Sequence, residues 1–353
     1  MKYKLRDFVE AVSETEPSPQ DSQFDRFVGL EHYDSGEIEI TRYTDTSLLS
    51  SSVKIFHAND ILIARRNVYL KRAGIVFFDG LTSGDSIILR VLKDCERNTE
   101  VPYQDALRWL PLVLNSSVFW AYANKHADGM NSKRISKEML LDYEFNAPSI
   151  TTIRSIANTV WSANSLKKNY RKLLGLTDEM VKSRFFSQFA DLPFDHKWKD
   201  VLTIINGKAY GEEYKVSGTY PICGSGGIMG YGEKKMCDRD SIILGRKGNI
   251  DKPIYMSEDY WIVDTAFCLS PNTELIHPVY LYYWCKQFDF QKLNKQAVLP
   301  SLTRSDLEQI DIQVPEMAEQ LAFVEIVHQV DKSKFELKQA IEKIDKVMRA
   351  LLQ

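Results

Sequence analysis

The segments ISKEMLLDYEFNAPSITTIRSIANTV (residues 135–160) and LTRSDLEQIDIQVPEMAEQLAFVEIV (302–327) present the same order of residue types. Each opens on an apolar, a hydroxyl and a basic residue and reads as a short helical turn. An alternating strand then leads to Pro148 or Pro315, and a long helical period follows. The match runs without a gap from residues 135–184 onto 302–351, at a constant offset of 167. A period that long signals two duplicated domains, because solenoid units run to a few tens of residues.

Fainter echoes precede each copy. Lys4-Leu5-Arg6-Asp7 pairs with Lys197-Trp198-Lys199-Asp200, DILIAR (60–65) with DSIILGR (240–246), and GDSIILRV (84–91) with VDTAFCLS (263–270). Upstream of both long helices, VKIFHANDILIAR, RAGIVFF, SIILRV, DSIILGR and PIYM read as short strands. LRWLPLVLNSSVFWAYANK and PVYLYYWCKQF read as helices. GSGGIMGYG (224–232) is too glycine-dense for a helix or strand interior and reads as a loop. Each copy is thus an α+β domain followed by one long helix.

The second helix places Gln320, Phe323, Val327, Val330, Lys334, Leu337, Ile341, Ile344, Met348 and Leu351 at heptad spacing. The first carries Ile153, Ile156, Val160, Ala163, Lys167, Tyr170, Leu174, Thr177, Val181 and Arg184 in the same register. Lys167 and Lys334 share one heptad position, a polar interruption of the kind that fixes register. Gly175, Thr177 and Asp178 weaken the seam and predict a kink or stagger near Gly175.

Two helices with matching unsatisfied stripes are buried most economically as an antiparallel intramolecular coiled coil, with the two domains related by a pseudo-twofold. Roughly 37 residues at 1.5 Å rise give a spacer of about 55 Å. Duplex DNA with two separated half-sites suits such a layout, that length corresponding to roughly 16 base pairs at most. The same pattern also fits an oligomerising coiled coil that carries two unrelated protein-binding domains.

Composition narrows the class. The chain has 353 residues, 44% hydrophobic and 26% charged, enough for more than one core. Neither a membrane-length apolar run nor a signal peptide is present, so a cytoplasmic protein without membrane contact is expected. Cys95, Cys223, Cys237, Cys268 and Cys285 form no CxxC pair, which suggests neither a disulfide framework nor a metal site. The net charge of −3 leaves room for local basic patches only.

Catalytic signatures are missing. There is no GxxxxGK[ST] phosphate loop, HExxH helix or GxSxG elbow, and no Asn/Asp-Pro-Pro-Tyr/Phe tetrapeptide of the kind that grips a flipped base. Asp191-Leu192-Pro193-Phe194 comes nearest and reads as an interdomain turn. The glycine segment lacks the GxGxxG spacing of a dinucleotide site. No catalytic residue, metal or cofactor is expected.

Basic residues recur at equivalent places. Arg65, Arg66, Asn67, Tyr69, Lys71 and Arg72 follow the strand DILIA; Arg246, Lys247, Asn249 and Lys252 follow DSIILG. Such side chains pair with phosphates, guanine or adenine, although a solvated hairpin tip has the same composition. A second pair of segments precedes the short helical turn: Lys125, Asn131, Ser132, Lys133 and Arg134, and Lys292, Asn294, Lys295, Gln296 and Ser301. Capping by Ser136 and Thr303 accounts for the hydroxyls at those turns, not for the neighbouring Lys, Asn and Gln. Trp109, Phe119, Trp120, Tyr282 and Trp284 read as core, whereas Trp161 and His328, equivalent across the repeat, are placed to face another protein.

The order of these motifs resembles the specificity subunit of type I restriction-modification systems over essentially the whole chain. KWKDVLTIINGKAY, TYPICGSGGIMGY, DSIILGRKGNI, DTAFCLSP and VLPSLTRSDLEQIDIQVPEMAEQ carry the resemblance. The first copy departs from it, with EPSPQDSQFDRFVGLEHYDSGEIEI (16–40) where the glycine-rich segment would stand. The resemblance implies target-recognition domains at 1–147 and 191–314, with spacer helices at 148–190 and 315–353. It further implies a noncatalytic reader of a bipartite asymmetric site in double-stranded DNA. Two modification (methyltransferase) subunits and the restriction (translocase/endonuclease) subunits would be its partners.

Overall fold

The computed structural model of the chain describes residues 1–47, 49–130, 132–294 and 300–352. They form two compact units, Met1–Arg171 with Lys338–Gln353, and Lys172–Leu337.

Unit 1 is built on a four-stranded antiparallel sheet in the order Val9–Val12, Ser86–Val91, Ile61–Ala64, Ala73–Ile75. Side chains alternate across a strand, so Ile61 and Ile63 enter a core with Trp109, Phe119 and Trp120. Leu62 and Ala64 enter a second core with Val28 and Phe56 on the opposite face. Burial on both faces explains why ILIA is uninterruptedly apolar. Unit 2 repeats the arrangement with Leu202–Asn206, Ala266–Pro271, Ser241–Gly245 and Ile254–Met256. Ile242 and Leu244 face one core, Ile243 the other.

The first of the fainter echoes is equivalent in the two units, and the strands of the third are equivalent with a shift of one residue, Ser86 corresponding to Ala266. Lys2–Lys4 pairs with Glu144–Asn146 in unit 1, and His196–Lys197 with Asp311–Ile312 in unit 2. After each first strand an aspartate turns back to cap the chain: the Lys4 amide donates to Asp7 at 2.8 Å and the Lys197 amide to Asp200 at 3.1 Å. The short turns Lys137–Leu141 and Arg304–Leu307 are N-capped by Ser136 and Thr303, as their sequences predict.

The glycine segment departs from its reading as a loop. It forms two strands, Tyr220–Gly224 and Gly227–Gly232, closed by a two-residue turn. Its glycines answer to close neighbours instead of to flexibility: a Cβ on Gly230 would lie 2.7 Å from Tyr214 Cβ, and one on Gly232 would lie 2.1 Å from the Tyr210 hydroxyl. Only Gly227, at φ +103°, needs the left-handed region.

The two long helices are Ile150–Phe189 and Met317–Leu351. Within unit 1, Ala157 and Val160 pack with Met348 and Leu352, while Lys167 reaches back to Asp345. Within unit 2, Phe185 meets Phe323 edge to face and Asp178 pairs with Lys334. In both units later residues of the first helix meet earlier residues of the second, so the pairing is antiparallel. The first helix is continuous through Gly175, where the sequence suggests a kink or stagger. A Cβ on this exposed glycine would meet no neighbouring element within 4 Å.

The heptad seam holds except at its ends, where Arg184 and Leu351 are exposed and Phe185 and Leu352 are buried in their place. The shift of one residue follows from the drift of a 3.6-residue helix against a 3.5-residue repeat. Trp109, Phe119, Trp120 and Trp284 are buried, and Tyr282 is half-buried. Trp161 is engaged internally, its indole donating to the Arg108 carbonyl at 2.8 Å, while His328 is exposed. Among the described residues no helix is long and apolar enough to cross a membrane.

Candidate nucleic-acid interface

The two basic segments of each copy, far apart in sequence, meet on one surface. In unit 1 the chain leaves the strand Ile61–Ala64 at Arg65, whose amide donates to the Asp85 carbonyl at 2.9 Å. The Ile135 amide donates to the Arg65 carbonyl at 3.0 Å, and the Asn67 amide to the Lys133 carbonyl at 2.7 Å. Arg66 thereby bridges Arg134. In unit 2 the Arg246 amide donates to the Thr265 carbonyl (2.8 Å), Leu302 to the Arg246 carbonyl (2.9 Å), and Gly248 to the Pro300 carbonyl (3.0 Å). There Lys247 bridges Ser301. The same main-chain frame is built twice and carries different side chains.

In unit 1 some of the polar side chains hold this frame and others are left to solvent. Asn67, in the left-handed conformation, accepts from the Ser132 hydroxyl at 3.1 Å, and Ser132 accepts in turn from Arg66 Nε at 2.9 Å. Arg72 ties the loop down by donating to the Leu30 and Arg66 carbonyls. Tyr69, Lys71, Lys125 and Lys133 are exposed. The Asp85 carboxylate lies 3.7 Å from both Arg66 and Arg134, sharing one negative charge between two guanidiniums. The field stays positive there. Burial, and then the neighbouring Arg65, lower the pKa of Lys54, which donates to the Ser86 carbonyl at 2.7 Å. Lys54 and Lys137 belong to this cluster, yet neither lies in a segment that the sequence marked as basic.

In unit 2 Arg246 sits over the Phe267 ring, 5.8 Å from its centroid. Among the described residues neither Arg246 nor Lys247 forms an ion pair, so both cations remain available. Lys247, Asn249 and Lys252 are exposed. Gly245 permits the loop to fold, since a Cβ there would lie 2.0 Å from the Asn249 carbonyl oxygen. Lys292 is exposed and 4.0 Å from Asp289, and the Ser301 amide donates to Asn294 at 3.2 Å. Asn131, Lys295 and Gln296 lie outside the described residues.

Exposed Arg, Lys and Asn on a main-chain frame are chemically able to contact phosphates and base edges. No cluster of His, Cys, Asp or Glu among the described residues could hold a metal ion. All five cysteines are buried and free, and burial pushes the Cys223 thiol up to about 12, the opposite of an activated nucleophile.

Residues 195–346 match the family model described as the type I restriction modification DNA specificity domain. No curated protein matches the chain by sequence. Among solved structures, the S subunit of the type I restriction-modification system from M. genitalium aligns at 14% identity, over 100% of this chain and 94% of its own, with TM-score 0.59. A chain from a structure addressing complex assembly and conformational transition of the type I R-M system aligns at 15% identity, over 100% and 96%, with TM-score 0.61. Residues 195–346 are thus similar to the type I restriction modification DNA specificity domain, and the whole chain shares the fold of a type I S subunit.

Proposed function

We propose that this chain is the noncatalytic DNA-recognition subunit of a type I restriction-modification enzyme, reading a bipartite asymmetric site with one half-site per domain. Residues 1–147 and 191–314 are the two readers in this proposal, and the long helices are the spacer between them. The observation that carries it is the duplicated frame, with Arg66 against Arg134 in one unit and Lys247 against Ser301 in the other. One scaffold with different side chains is what two readers of different bases require. An adaptor that binds two proteins gives no reason for the cations to recur on the same three main-chain hydrogen bonds.

Catalysis is assigned to partners, namely modification subunits that methylate the site and restriction subunits that cut DNA. The DNA specificity family of residues 195–346 supports this assignment. The test is selection from a randomised duplex library by the full chain assembled with its modification subunits. Two short fixed sequences flanking a fixed number of unread base pairs are expected, with affinity that falls steeply as salt rises. Recovery of no enriched sequence would reject the proposal.

A further inference from the structure

In unit 2 one residue, Thr265, joins the glycine hairpin to the basic loop. Thr265 Oγ1 accepts from the Ser225 amide in the hairpin turn at 3.4 Å, and its carbonyl accepts from the amides of Arg246 (2.8 Å) and Lys247 (3.2 Å). Immediately after that turn the chain exposes two large aliphatic side chains, Ile228 and Met229, which are 52% and 55% accessible.

This exposure is imposed by a rigid support. The Lys215 amide and carbonyl bond Tyr231 at 3.0 Å each way, the Glu233 amide donates to the Tyr210 hydroxyl at 2.8 Å, and Thr219 donates to the Glu233 carboxylate at 2.6 Å. On the inner edge the Val263 amide donates to the Cys223 carbonyl at 2.9 Å, joining the hairpin to a third strand. A hairpin fastened along its length cannot fold its tip inward to hide two aliphatic side chains. Water-exposed Ile and Met beside Arg246 and Lys247, which form no ion pair among the described residues, make a surface that is apolar at one point and cationic around it. The major groove is complementary to that surface: phosphates line its edges, and its one apolar base substituent is the thymine 5-methyl group.

We propose that Ile228 and Met229 are a specificity-determining head that contacts thymine methyl groups in the half-site read by domain 2, with Arg246 and Lys247 holding the flanking phosphates. This rests on the DNA-reading function proposed above. Among the described residues of unit 1 no glycine hairpin stands in that place, so the head is assigned to the domain-2 half-site.

The test uses the full chain assembled with its modification subunits, first selecting from randomised duplexes and then titrating the selected duplex with each thymine of the domain-2 half-site replaced in turn by uracil. Loss of one buried methyl group should weaken binding about fourfold at one or more of these positions. The Ile228→Ala/Met229→Ala variant should lose both the sequence preference and the uracil effect at those positions, while the other half-site is retained. Ile228→Val/Met229→Leu should keep both, which separates lost contact from lost fold. A domain-2 half-site without an A·T pair would overturn the inference, as would uracil having no effect at any position or the Ala variant retaining the uracil effect. If the unaltered complex selects no sequence at all, the DNA-reading function itself fails; if it selects one and the Ala variant selects the same, only the head is rejected.

Discussion

The Lys167 ammonium on the first long helix lies 2.8 Å from the Asp345 carboxylate on the second, and 167 positions along the chain Lys334 meets Asp178 with the helices exchanged. The repeat thus preserves an ion pair by swapping which helix supplies the cation. The two environments differ. Lys167 is 2% exposed and also holds Glu37 at 2.8 Å, whereas Asp178 is 65% exposed. Breaking a buried pair leaves uncompensated charge, while an exposed pair contributes little. Lys167→Ala should therefore cost about 3 kcal/mol in urea unfolding and Lys334→Ala under about 1 kcal/mol. Equal losses would refute this asymmetry.

The cations of the unit 2 loop should act through phosphates. The Arg246→Ala/Lys247→Ala variant is expected to weaken DNA binding by the assembled complex and to reduce the slope of log affinity against log salt by about 2, at roughly 0.9 per phosphate contact. An unchanged slope would remove this loop from the interface.

Continuity of the first helix through Gly175 has its own consequence. A helical glycine with open space around its Cα gains on substitution. Gly175→Ala should raise stability by roughly 0.5–1 kcal/mol, measured by the urea midpoint. A loss would mean that the helix bends there after all.

Acid sensitivity should centre partly on His277, which caps the helix Pro278–Gln287 by accepting from the Val279 amide at 3.2 Å. Burial, and secondarily His328, lower its pKa from 6.5, while Asp240 opposes the shift. The unfolded chain then takes up a proton that the folded chain refuses, so this contribution is complete above about pH 6.5 and is lost as the pH falls through the lowered folded value. His277→Asn keeps a capping group without the titration. Its melting temperature should fall less steeply than that of the unaltered protein between about pH 7 and pH 5; parallel profiles would exclude His277.

The repeat, the helix seam and most of the strands were legible because each is written in local periodicity. Ile61–Ala64 and Ser241–Gly245 announce buried strands by their composition alone. What was not legible depended on distant neighbours. The glycines at 230 and 232 look like loop residues until Tyr214 and Tyr210 are packed against them. Nothing in EIE (37–39) predicts that Ile38 enters the helix pair, with Glu37 bonding Lys167 and Arg171 and Glu39 bonding Asn164 and Lys168. The basic residues were found as two separate segments per copy. Main-chain bonds such as Asn67 to Lys133 and Gly248 to Pro300, with the Arg66–Ser132–Asn67 side-chain bonds in unit 1, make them one surface.

Division of labour between the two domains is the central claim, and exchange of one domain tests it most directly. Residues 1–147 would be replaced by the corresponding domain of a type I S subunit, and the methylated or bound sites of the assembled complex mapped across a randomised duplex library. The predicted result is one new half-site joined to one unaltered half-site. Both half-sites changing, or neither, would contradict the account.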